Sequence, residues 1–341
     1  MGTLDYRLIL NEFRHNNKAA IPLVALIIGS HALGIIGSVD DWEMEPPDFE
    51  MFVIWHVYNC DPFEMPYFHD IPISARNQLK WYASCVSWHV FDNPKVIPLA
   101  FNILVMPLSY LVALSLTRDR LIGIITIVAL INNPLYTDWE GIATYDQMWT
   151  CFLLLAVLLV HKRAYGPISY GAAILTKGLA IMYAPAILYT AWKRRDALQV
   201  LIFGIISVAV VMFALQSSNM VGNSVGFFPE RWEDAMYGNI SVLWQVIPIL
   251  ALFVALKANF TPKSGRVHGM GIVWAWLAMA LLQVPLVAFF TLQDFYSYRY
   301  APVAVFMSVF IGMVLVNMGN WIVEAKLRRV KNTAFINPNS Y

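Results

Sequence analysis

Apolar residues run along this chain in blocks of 14 to 26 residues with short polar stretches between them. The blocks are 20–38, 95–116, 121–136, 147–160, 167–192, 197–215, 241–256, 268–290 and 300–318. About 20 apolar residues cross the hydrocarbon core of a bilayer as a helix, so the pattern predicts an all-α, polytopic membrane protein. Residues 3–14 (TLDYRLILNEFR) instead place Leu4, Leu8, Ile9 and Phe13 among charges at helical spacing. That spacing predicts a helix on the membrane surface, within an interfacial segment 1–19.

The block 167–192 has basic clusters at both ends, Lys162 and Arg163 before it and Lys193, Arg194 and Arg195 after it. Short loops rich in Lys and Arg stay cytoplasmic. Both clusters stay inside if the block is two short helices broken near Thr176, Lys177 and Gly178. Ten crossings result, with both termini cytoplasmic and 319–341 as a cytoplasmic tail. In this topology 17 of the 23 basic residues lie inside and 17 of the 22 carboxylates outside.

The large outer loop, 39–94, holds two amphipathic stretches, FEMFVIWHVY and QLKWYASCVSWHVF, with Trp55, Trp81, Tyr82 and Trp88 as interfacial anchors. These predict membrane-parallel helices. With no internal repeat and no long linker, 1–341 reads as a single integral-membrane domain. No cleavable signal peptide is expected, because the first apolar block leads into acidic residues.

Composition narrows the function. The chain is 59% apolar and 13% charged, which excludes a water-soluble enzyme. A net charge of +1, with no concentrated basic face, excludes nucleic acid as a partner. Membrane lipids are the expected surroundings. Cys60 and Cys85 share the outer loop; outside the cytoplasm they can pair, and two free thiols is the equal alternative. His56, His69 and His89 lack zinc-ligand spacing.

Chemistry gathers on the acidic side. GSVDDWEME puts Asp40, Asp41, Glu43 and Glu45 where the first span ends. Carboxylates this close repel one another, which raises a pKa or recruits a cation and suits a general base or a metal ligand. A second acidic group, Asp138, Glu140 and Asp146, lies in NNPLYTDWEGIATYDQMW. Asp146 begins an apolar block, where a carboxylate is costly. Asn132, Asn133 and Pro134 end the preceding helix at membrane depth, and irregular backbone there lines protein-enclosed cavities. Two cations offset the acids. Lys177 sits in the broken block, and Arg299, in DFYSYRYAP, carries a fork that matches phosphate.

This arrangement resembles the GT-C superfamily of integral-membrane glycosyltransferases, which includes protein O-mannosyltransferases, oligosaccharyltransferases and lipid A aminoarabinose transferases. The resemblance rests on Asp40-Asp41 after the first span, the outer loop with membrane-parallel helices, NNPLYTDWEGIATYDQMW and GPISYGAAILTKGLAIMYAP. It covers roughly residues 5–195 and, more loosely, the YRYAP near the end. Many relatives have Asp-Glu where this chain has Asp-Asp. The resemblance implies a sugar donor linked to polyprenyl phosphate and inverting transfer to an acceptor on the non-cytoplasmic face. Asp40 or Asp41 is then the catalytic carboxylate, with Asp138, Glu140 and Asp146 as the second acidic loop. Lys177 and Arg299 hold the donor phosphate. Family members differ over a divalent cation, Mg or Mn, for which Asp41 and Asp146 are the metal ligands. A transporter or channel, and a non-catalytic subunit with membrane-protein partners, are the competing classes; the lack of matching halves weighs against the transporter.

Overall fold

The computed structural model describes residues 17–38, 78–93, 96–137, 146–162, 164–193, 196–216, 270–290 and 300–336. Among these every regular element is a helix. Helix α1 spans Asn17–Ser38, α2 Gln78–Phe91, α3 Val96–Thr117, α4 Arg120–Leu130 and α5 Pro134–Thr137. Then come α6 Asp146–Leu158, α7 Tyr165–Thr176, a 3-10 segment Gly178–Tyr183, α8 Ala184–Lys193 and α9 Ala197–Gln216. Met270–Phe290 forms α10 and Ala301–Ile336 forms α11. The expected surface helix at 3–14, the stretch 49–58 and the block 241–256 lie outside the described residues.

Among the described residues three segments are long and apolar enough to cross a membrane: Lys18–Gly37, Val96–Thr117 and Ala301–Asn320. Their burial separates their roles. Only 11% of the first is covered by protein, against 78% of the last. With Ile21, Leu26 and Leu33 exposed, α1 offers its sides to lipid, and α11 forms the bundle's centre. α4, α10, α3, α5 and α6 all pack against α11.

Small residues permit that packing. A Cβ on Gly312 of α11 would lie 2.8 Å from the Ile122 carbonyl oxygen of α4, so the two backbones meet where only hydrogen fits. Gly312→Val should therefore cost about 1–3 kcal/mol through overpacking. Its thermal unfolding midpoint in detergent should fall by several degrees; an unchanged midpoint would contradict the close crossing.

Several helices are short, for local reasons. The turn between α3 and α4 uses Arg118 at φ 58°, and Asp119 caps α4 by accepting from the Leu121 N–H at 3.0 Å. The block 121–136 does not run through. α4 ends at Leu130, and the Asn133 side chain accepts from the Leu135 N–H at 3.0 Å, with Pro134 in the first position of α5. The block 167–192 is interrupted at the expected residues: α7 stops at Thr176 and Lys177 is extended, at φ −151° and ψ 117°.

At the C-terminal end α11 runs on past the apolar block, which stops at 318, to Ile336. Residues 319–336 contain one glycine and no proline, and Lys326, Arg328, Arg329 and Lys331 favour helix. Nothing local stops the helix as it leaves the apolar block.

Helix α2 matches the expected QLKWYASCVSWHVF stretch and packs against α3 and α7. Ala83, Cys85 and Ser87 are buried, while Tyr82, Val90 and Phe91 are exposed. Its corner with α3 is tied by Ser87, whose hydroxyl donates to the Asn93 carbonyl at 2.6 Å and accepts from the Ile97 N–H at 3.2 Å. Cys85 is disulfide-bonded, one of the two states the sequence left open, and Cys60 lies outside the described residues. Cys151 is a free, buried thiol.

Candidate functional site

Helices α6 and α7 form an antiparallel pair with the tight turn 159–164 between them. The turn is close: a Cβ on Gly166 would lie 2.6 Å from the Leu159 carbonyl oxygen. α6 has 13 residues and α7 has 12, so the far ends of both lie about 18 Å from the turn. Asp146 opens α6 and Lys177 follows α7, and the pairing therefore sets these two positions at one end of the hairpin. A bilayer core is about 30 Å thick. A hairpin of that length, with a basic turn at one end, is shorter than such a core is thick.

Lys177 is 8% exposed. Its backbone N–H donates to the Ala173 carbonyl and its carbonyl accepts from the Ala180 N–H, so the irregular step spends its own polar groups locally. Beyond it an aromatic column joins four elements. The Tyr183 ring lies 6.2 Å from Trp149 of α6 and 5.9 Å from Trp276 of α10, and Trp276 stacks on Phe306 of α11 at 4.8 Å. The Tyr183 hydroxyl donates to the Gln283 side-chain oxygen at 2.6 Å, and the Trp276 indole N–H donates to Thr190 at 2.9 Å. Tyr300, next in sequence to Arg299, is buried and within electrostatic reach of Tyr183. These links run from the Lys177 break to the start of the last span.

A second seam lies between α3 and α6. The Cys151 thiol donates to the Phe101 carbonyl at 3.2 Å, and the Tyr136 hydroxyl of α5 donates to the Asn102 carbonyl at 2.7 Å. One turn further out on the face of α6 that carries Cys151 is Gln147, fully buried with neither end of its amide hydrogen-bonded. The Trp149 indole N–H is likewise buried and unbonded.

Of the residues expected to carry the chemistry, Asp40, Asp41, Asp138, Glu140 and Arg299 lie outside the described residues. The structure brings the positions of Asp146 and Lys177 to one end of a hairpin. Among the described residues, no three His, Cys, Asp or Glu side chains gather in a metal-binding group; the expected ligand Asp41 is not among them. Gln147, Tyr183 and Gln283 escaped the sequence reading. Their one available signal was a polar side chain in or at the edge of an apolar block, where such groups are costly. Compared with family models, with curated proteins and with solved structures, the chain finds no match.

Proposed function

We propose that the chain is a GT-C-type glycosyltransferase that moves a sugar from a polyprenyl-phosphate donor to an acceptor on the non-cytoplasmic face. The observation that carries this reading is Lys177, a buried cation in irregular backbone at the hairpin end where Asp146 also stands. In the proposed topology this end of the hairpin lies within the bilayer, where a positive charge attracts an anion brought beside it. A lipid phosphate reaches that depth with its polyprenyl tail still in the bilayer. An oxidised Cys85 supports the sidedness, because disulfides persist outside the reducing cytoplasm. The proposal retains about ten crossings and cytoplasmic termini.

In this scheme Asp40 or Asp41 takes the proton of the acceptor hydroxyl as its oxygen attacks the anomeric carbon. The bond from that carbon to the phosphate oxygen breaks on the opposite face, inverting the centre. The departing phosphate carries the new negative charge, which Lys177 and Arg299 offset. Asp41 and Asp146 are the carboxylates that would hold a divalent cation, and no step is routed through it.

The test uses full-length protein in vesicles given polyprenyl-phosphate hexoses and pentoses labelled in the sugar, together with the native membrane acceptors. Label should leave the lipid carrier for an acceptor. Solute flux through the vesicles with no lipid-sugar turnover would overturn the proposal in favour of a transporter.

A further inference from the structure

We infer that Gln147 is a sugar-reading residue: its amide hydrogen-bonds ring hydroxyls of the donor at the outer end of α6. This rests on the glycosyltransferase reading and adds a specificity residue to the same site. Gln147 stands in the first turn of α6 and is fully buried, with both its N–H and its C=O groups unspent. Leaving a buried polar group unsatisfied costs about 1–3 kcal/mol, a cost that a partner with both a donor and an acceptor would relieve. Helical side chains lean toward the N-terminus, which carries this amide outward past the Cys151–Phe101 contact toward the mouth of the hairpin. There it stands at the end shared with Lys177.

The chemistry of the amide selects the ligand. A hydroxyl donates and accepts, and so satisfies both halves of a carboxamide. An ionised phosphate only accepts and would set its oxygens against the amide C=O. Lys177 supplies the charge a phosphate wants, and Gln147 supplies the neutral pair a sugar wants.

The experiment compares wild type and Gln147→Leu, as full chains in lipid nanodiscs, for binding of polyprenyl-phosphate hexoses and of bare polyprenyl phosphate. Wild type should prefer at least one sugar-bearing lipid. Gln147→Leu should lose that preference by about tenfold, the worth of a buried hydrogen bond. Its affinity for the bare lipid phosphate should not change, and its melting temperature should hold or rise. Full preference retained in the leucine variant overturns the inference and assigns the amide to an internal water. Should that variant fail to fold, Gln147→Met, similar in length and equally without the amide, gives the same comparison. Wild type that binds neither lipid sinks the glycosyltransferase reading itself, which separates the two failures.

Discussion

Asp41→Asn, and separately Asp40→Asn, should leave the protein folded while sugar transfer falls at least about a hundredfold in the variant that has lost the catalytic carboxylate. Asparagine keeps the shape of aspartate but cannot take a proton, and a positioned general base contributes roughly 10²–10⁴ in rate. Helix α1 leads directly into the acidic motif. Its 22 residues rise about 33 Å, slightly more than the hydrocarbon core. Ser38 ends the helix, and in the proposed topology the next residues, Asp40 and Asp41 among them, follow at the interface where a lipid-linked substrate would present its headgroup. The loss should fall on kcat, with KM for the donor little changed, because the base touches the acceptor hydroxyl and not the phosphate. Transfer of label from the lipid carrier, with the unfolding midpoint as the control for folding, checks this. Wild-type rates in both variants would remove the acidic motif from the chemistry.

What the sequence made legible was set by how each feature is encoded. Apolar blocks at 95–116 and 197–215 reappear as Val96–Thr117 and Ala197–Gln216, because hydrophobic length is additive and survives without tertiary knowledge. The break at Lys177 was readable only from charge: hydropathy runs almost unbroken from 167 to 192, and the flanking basic clusters were the one signal that the block is interrupted. The interruption at Asn132–Asn133 was readable from residue type, since an Asn-Pro pair both ends one helix and starts the next. The far end of α11 was not readable. An apolar window stops at 318, but α11 does not, because backbone propensity outlasts the hydrophobic block.

The site divides in the same way. Acidic clusters and stranded lysines announce themselves by cost. That Asp146 and Lys177 share an end follows only once α6 and α7 are known to be antiparallel and of nearly equal length. Tyr183 and Gln283, 100 residues apart, meet through the packing of the 3-10 segment and α10. Gln147 is one amide at the edge of an apolar block, and its meaning comes from what fails to reach it. A linear pattern holds no record of a missing partner.

Lys177→Met tests the other half of the proposed division of labour. Methionine keeps an unbranched stem of similar length and deletes the charge. A charge-assisted hydrogen bond is worth about 1.5–3 kcal/mol, so affinity for bare polyprenyl phosphate should drop roughly 10- to 100-fold. The sugar-bearing lipid should weaken by the same factor, leaving the preference between the two lipids as in wild type, because the lost contact is to the part they share. Gln147→Leu is expected to do the opposite. At 8% exposure the lysine is poorly screened, so its contribution should change little between low and physiological salt, unlike that of a surface lysine. A purely structural role leads elsewhere. If Lys177 serves only to neutralise a buried carboxylate of its own chain, removing it strands that charge and costs about 3–5 kcal/mol of stability. The melting temperature would then collapse, and lipid-phosphate affinity per folded molecule would stay as in wild type. Binding isotherms for both lipids, with thermal unfolding of the same preparation, separate these outcomes.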